Sequence, residues 1–224
     1  RWLATNNTSP KTGGRLVHRN LTPNHALRNS IEEFLERTFK IARRDDIQII
    51  RDIGAGSFKM VHEGRLRGQQ VAVLKMRPGA DCLKEIKVLI RLRHPHLVRY
   101  LGMCTAATET LIVTELAPLG SLDNFLNDRE GQVSLEHKLV MAHQICGGMA
   151  ALAEQGLIHR DLAARNVLVF ADAPSPVVKV TDFGLTVNAY GATHMSVPGE
   201  QVPFRWMPPE ALRRRRFSEK SDVW

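Results

Sequence analysis

Residues 158–166 read Ile-His-Arg-Asp-Leu-Ala-Ala-Arg-Asn, and Asp182-Phe183-Gly184 follows downstream of a short apolar run. Asp161, a carboxylate able to accept a hydroxyl proton, stands five positions before Asn166, whose amide oxygen is able to hold a metal. Asp182 offers a second carboxylate for metal at the end of its own strand. Lone Asp and Asn residues are ordinary turn formers, so neither position means much by itself. Phosphoryl transfer from a nucleotide, by contrast, needs three such groups around one triphosphate, because its chemistry is chiefly positioning and charge neutralisation. A chain that brings these three together must fold around a cleft.

The hydrophobic pattern says how. From Ile47 the chain reads as short strands: Ile47–Ile53, then Val61–Leu66 and Gln70–Lys75 with period-two alternation. Leu83, Ile86, Leu89 and Ile90 mark a short helix, and Leu97–Met103 and Thr110–Thr114 are two further strands. Five strands with one inserted helix make a small α+β lobe. After Gly120 the signals turn helical. Ser121 is placed to cap a helix to about Asn127, and Ser134 to cap a long one. On the long helix Leu139, Ala142, Ile145, Met149 and Leu152 share one side, and Gly156 supplies a left-handed stop. Val167–Val169 and Val178–Val180 read as two short strands around an irregular Ala171–Pro176 insertion.

Composition narrows the class. A hydrophobic fraction of 43% and a charged fraction of 24% are those of a soluble globular protein. No apolar run reaches the roughly 20 residues a bilayer span requires, and no signal-peptide pattern opens the chain. Cys82, Cys104 and Cys146 lack metal-ligand spacing and read as reduced, mostly buried thiols of a cytoplasmic or nuclear protein. The net charge is +8, and the first 45 residues hold nine Lys/Arg against four Asp/Glu. The Arg213–Arg216 run is the densest basic patch, but it carries no aromatic interleaving. A solvated loop or an acidic-substrate dock explains it better than nucleic acid, which is not an expected partner.

Ile53-Gly54-Ala55-Gly56-Ser57-Phe58-Lys59-Met60-Val61, Val71-Ala72-Val73-Leu74-Lys75, Leu111–Ala117, the 158–166 loop and Asp182-Phe183-Gly184 occur in the order and at the separations of one family. Together they resemble the eukaryotic protein kinases, over residues 47–224. The resemblance implies a bilobal α+β fold, with a five-stranded antiparallel N-lobe sheet plus helix and a mainly helical C-lobe lacking its last helices. It also implies ATP and Mg2+ as cofactors. By resemblance, Gly54 and Gly56 cover the phosphates. Lys75 binds the phosphates and pairs with Glu85, nine residues before His94-Pro95. Ile53, Val61, Ala72 and Leu168 enclose the base, with Thr114 as gatekeeper and the backbone of Glu115 and Ala117 bonding to adenine. Asp161 becomes the catalytic base, and Asn166 and Asp182 the magnesium ligands. Lys59 stands where the family carries its third glycine, a departure that puts nucleotide affinity in question.

Other positions bear on substrate and control. Ala163 and Pro203 occupy sites where serine/threonine kinases usually place lysine and threonine; Arg165 and Pro203-Phe204-Arg205-Trp206 resemble the tyrosine-specific version. A protein tyrosine is therefore the favoured acceptor, with Ser/Thr retained as the other reading. His159 and Phe183 are expected to pack with Leu89 and Tyr100 in a column. Arg160 is expected to pair with a phosphorylated segment whose leading acceptor is Tyr190, with Thr186, Thr193 and Ser196 behind it. Pro208-Pro209-Glu210 matches the family's Ala-Pro-Glu anchor, and Asp222 is expected to hold the catalytic loop's backbone.

Residues 1–40 read separately, joined by a charged linker at 41–46. Arg1-Trp2-Leu3, Thr8-Ser9-Pro10-Lys11-Thr12 and Leu21-Thr22-Pro23-Asn24-His25-Ala26-Leu27-Arg28, then Ile31-Glu32, resemble the second half of a U-box, a zinc-free RING-like ubiquitin-ligase domain. That resemblance places Trp2 and Pro10 on the surface that receives a ubiquitin-conjugating enzyme. A capped amphipathic helix docking on the kinase lobe is the simpler alternative. The chain reads as a fragment, expected to be weakly active or inactive alone. A kinase-like scaffold within a U-box ubiquitin ligase is the competing function.

Overall fold

The computed structural model describes residues 43–56, 59–77, 92–106, 109–188, 195–196 and 204–224, all within one compact unit. The expectations for Trp2, Pro10, Glu85 and Tyr190, and for the helix through Leu83–Ile90, lie outside the described residues.

A 3-10 turn at Arg44–Asp46 leads into β1 (Ile47–Ala55), β2 (Lys59–Leu66), β3 (Gln69–Met76), β4 (Tyr100–Ala106) and β5 (Glu109–Glu115). They form one antiparallel sheet in the order β1-β2-β3-β5-β4. The register of β2 on β3 runs unbroken from Lys59 opposite Met76 to Leu66 opposite Gln69. Directly opposed residues share a face, and alternate residues of a strand point to opposite faces. One face carries Val71, Val73, Leu111 and Val113, packed with Ile47 and Cys104 into a buried cluster. The other face carries Val61, Ala72 and Leu74, and roofs a cleft.

The fourth strand begins at Tyr100 rather than Leu97 because the residues before it serve another partner. Leu97 bridges to Val180, and the Val98 amide donates to the Val180 carbonyl at 2.9 Å. Chain that would have lengthened the small sheet instead ties it to the helical half.

That half holds α1 (Leu122–Asp128), α2 (Leu135–Glu154), β6 (Leu157–Ile158), β7 (Val167–Ala171), β8 (Val177–Val180) and β9 (Val187–Asn188). Beyond them come β10 (Met195–Ser196), α3 (Pro209–Arg214), β11 (Arg216–Phe217) and α4 (Glu219–Val223). Ser134 caps α2, its hydroxyl accepting from the His137 amide at 3.1 Å. Ser121 makes no such bond; it bridges to Leu168 instead. The buried side of α2 runs through Met141, Gly148 and Leu152, whereas Leu139 is 62% exposed. Gly148 is required there: a Cβ would stand 2.7 Å from the His96 carbonyl oxygen. Val167, Val169 and Val178 pack with Leu122, Phe125 and Met141 to form the floor beneath the cleft. Cys104 is buried, as expected, and Cys146 is exposed; Cys82 lies outside the described residues. No described helix is long and apolar enough to cross a membrane.

Candidate active site

The polar loop between β6 and β7 is fixed from below. Asp222 on α4 accepts the His159 amide at 2.7 Å and the Arg160 amide at 2.8 Å. Burial pushes the Asp222 carboxyl above its ordinary value despite those two bonds. They hold Arg160 in the left-handed region, at φ 71°, which non-glycine residues occupy only when their surroundings enforce it. The His159 ring is fully buried, its Nε2 2.9 Å from the Thr181 carbonyl, and it meets the Phe183 ring edge-on with centroids 5.5 Å apart. The loop before β7 and the segment after β8 are thereby locked to each other.

On this base Asp161 and Asn166 come together. The Asn166 Nδ2 donates to both the Asp161 carbonyl and its Oδ2, each at 2.8 Å. Arg165, a turn further on, bonds the other carboxylate oxygen of Asp161 and lies over the Trp206 ring, 4.3 Å from its centroid. Burial pushes the Asp161 carboxyl above its ordinary value, against the pull of Arg165 and Asn166. Asp182 follows β8 at φ 64°, a conformation that Asp tolerates better than most residues. Asn166, Arg165, Thr181 and Asp182 line the floor of a cleft of about 790 Å³.

Its roof and back wall come from the sheet. Ile53, Gly54, Gly56, Val61 and Ala72 line it from above, Leu168 from below, and Thr114, Leu116 and Ala117 along the connection between the halves. Thr114 is buried. Glu115 turns its side chain out of the cleft: its carboxylate accepts Lys179 Nζ at 2.7 and 2.8 Å and the Arg99 amide at 2.7 Å.

Lys75 requires a correction. It does not line the cleft; it is exposed, and its ammonium pairs with Glu109 at 2.9 Å, beside Arg44. Those two cations, Lys75 first, hold the Glu109 carboxyl below its ordinary value. The cause is parity. In an unbroken strand that turns Ala72 toward the cleft, Leu74 also faces it and Lys75 cannot. Among the described lysines, Lys59 is the one that lines the cleft; it is buried, with Nζ 3.0 Å from Asp182 Oδ1. Burial alone would raise the Asp182 carboxyl, but the Lys59 ammonium reverses this and leaves it below the ordinary value.

The pairing expected of Arg160 involves Tyr190, outside the described residues. Arg160 itself is buried, its guanidinium 4.4 Å from the Phe217 ring centroid and donating to the Leu185 carbonyl at 3.0 Å.

Asp182 and Asn166 offer hard oxygen donors of the type that suits Mg2+, which keeps several waters and binds through one or two protein groups and phosphate. Among the described residues no group of three or more His, Cys, Asp or Glu is placed to hold a metal ion by itself. The donor set fits a magnesium ion carried in with phosphates.

A profile of the family described as protein tyrosine and serine/threonine kinase matches residues 47–224. The chain is 38% identical over 184 residues to the human tyrosine-protein kinase TXK, covering 80% of this chain and 34% of that protein. It is 39% identical over 186 residues to tyrosine-protein kinase SRK2 of Spongilla lacustris, covering 81% of this chain and 51% of that protein. The figures for Drosophila melanogaster tyrosine-protein kinase Btk are 40% over 188 residues, with 80% and 23% covered. With its cleft, catalytic-loop geometry and these relatives, the chain belongs to the protein tyrosine and serine/threonine kinase family. It spans about a third of the length of TXK and about half that of SRK2.

Proposed function

We propose that the protein transfers the γ-phosphate of ATP to protein hydroxyls in the cytoplasm, with tyrosine favoured over serine and threonine. The observation that carries this reading is that Asn166 and Asp182 line the floor of one cleft while Asn166 holds the Asp161 carboxylate beside it at 2.8 Å. Asp161 orients the acceptor hydroxyl and takes its proton on the carboxylate. Its raised proton affinity suits that task better than an ordinary surface carboxylate would. Arg165, shared between Asp161 and Trp206, keeps the base in line with the platform that receives the substrate backbone. Asn166 and Asp182 would hold magnesium, which when bound neutralises charge on the phosphates. The roof residues Val61 and Ala72 and the floor residue Leu168 exclude water from the base.

Tyrosine preference is supported by Arg165 and its contact with Trp206, and by the tyrosine kinases among the relatives. Peptides differing only in Tyr or Ser at the acceptor position test it. Turnover on the tyrosine peptide, reduced about 1,000-fold or more in Asp161→Asn, is the expected result. A kinase-like scaffold would instead show no turnover that depends on Asp161.

We also propose that residues 1–40 are the second half of a U-box that receives a ubiquitin-conjugating enzyme through Trp2 and Pro10. The segments quoted above, with their lack of zinc ligands, support it. In the full-length protein, Trp2→Ala is expected to abolish ubiquitin discharge from the conjugating enzyme, and undiminished discharge contradicts the reading. Tyr190 is the proposed regulatory phosphosite. For Arg160 to meet that phosphate, its guanidinium must leave the Phe217 ring.

A further inference from the structure

The lysine at the family's third-glycine position of the β1–β2 turn is the one that reaches the metal carboxylate. Lys59 opens β2 opposite Met76, on the same sheet face as Val61 and Glu63, and all three line the cleft. Its side chain crosses from roof to floor, placing Nζ 3.0 Å from Asp182 Oδ1. On the neighbouring strand the position two residues after Ala72 is Leu74, and it lines the same cleft. Lys75, one residue later, stands on the opposite face with Val71 and Val73 and is 45% exposed beside Glu109.

We propose that Lys59, and not Lys75, is the lysine that holds the phosphates of the bound nucleotide. The proposal rests on reading the cleft as the ATP site. An ammonium is a compact charge on a flexible stem, so it reaches a phosphate as well from the edge strand of the hairpin as from the middle strand, provided it enters the same space. Among the described lysines, only Lys59 meets that condition. The loss of a glycine in the turn and the outward lysine of β3 are then two halves of one change. The cation has moved one strand over, and Leu74 fills the place it would have occupied.

Titration calorimetry with Mg-ATP on the intact protein tests this, with thermal unfolding as the check on folding. Lys59→Met is expected to weaken Mg-ATP binding about tenfold or more, the worth of one charge-assisted hydrogen bond. Lys75→Met is expected to leave the affinity within about twofold, as for an exposed surface pair. The double variant Lys59→Gly/Leu74→Lys, which returns the cation to β3 on the cleft face, is expected to recover binding. It also decides the matter should Lys59→Met fail to fold, since a folded double variant unable to bind Mg-ATP overturns the assignment. Wild-type affinity in Lys59→Met, or its loss in Lys75→Met, overturns it too. Where Lys59→Met weakens binding but the wild type phosphorylates no peptide, the assignment stands and the transferase reading fails. Where turnover is intact and indifferent to Lys59, the transferase reading survives and the assignment falls.

Discussion

Asp161 is held from both sides, by Asn166 through its amide and by Arg165 through its guanidinium, while Asp222 anchors the backbone just before it. Removing that anchor leaves two buried amides without an acceptor. Asp222→Ala is therefore expected to lower stability by about 3 kcal/mol, read by denaturant unfolding, and to release Arg160 from its left-handed conformation. Glu109 makes a second prediction at this scale, one that concerns pH. Its folded proton affinity is lowered, Lys75 contributing most and Arg44 next. A carboxylate of this kind stabilises the fold above its unfolded value, about 4.3, and the contribution is lost as pH falls through the lower folded value. Lys75→Met should thus cost no more than about 1 kcal/mol at neutral pH, since the lysine is largely in solvent. The gap to wild type should close in acid. A gap that persists unchanged at pH 3 contradicts this role for Lys75.

Strand β3 shows how much of the site was legible, and where reading failed. Its existence, its neighbours and its inward Ala72 follow from alternation, and the structure extends the expected strand by one residue at each end. Assigning both Ala72 and Lys75 to the cleft breaks that same alternation, since residues three apart on a regular strand face opposite ways. Parity counted from Ala72 turns Leu74 toward the cleft and Lys75 away from it, and Lys59, at the third-glycine position, lines the cleft. In the structure Lys75 stands outside the cleft and Lys59 inside it. On the long helix α2 the expected stripe holds at Leu152, which is buried, and at Ile145, which packs on the floor cluster, but Leu139 and Ala142 are exposed and the contact surface also takes in Met141 and Gly148. What set it was the approach of the His96 backbone, a tertiary fact no local pattern contains. Gly148→Val should therefore be poorly tolerated, with a loss of about 3 kcal/mol or failure to fold, while Leu139→Ala should change stability by less than about 1 kcal/mol.

The two halves of the domain are joined by specific contacts as well as by chain. Val98 pairs with Val180, and the Glu115 carboxylate at the connection accepts Lys179 from β8 and the Arg99 amide. Both Lys179 and Glu115 are mostly shielded from solvent, and Lys179 also lies over the Phe170 ring, 4.6 Å from its centroid. Lys179→Met leaves the Glu115 carboxylate short of its cation, so a destabilisation of about 2 kcal/mol is expected, accompanied by weaker Mg-ATP binding as the connecting segment loosens. Thermal unfolding and calorimetry on the same variant check both effects. The most direct test of the whole account is single-turnover transfer of labelled γ-phosphate from Mg-ATP to a tyrosine peptide, comparing wild type with Asp161→Asn. Labelled phosphotyrosine from the wild type, with its rate cut about 1,000-fold or more in the variant, is the predicted outcome. Equal rates in the two proteins, or no transfer by the full-length wild type to any hydroxyl, would contradict a catalytic role for this cleft.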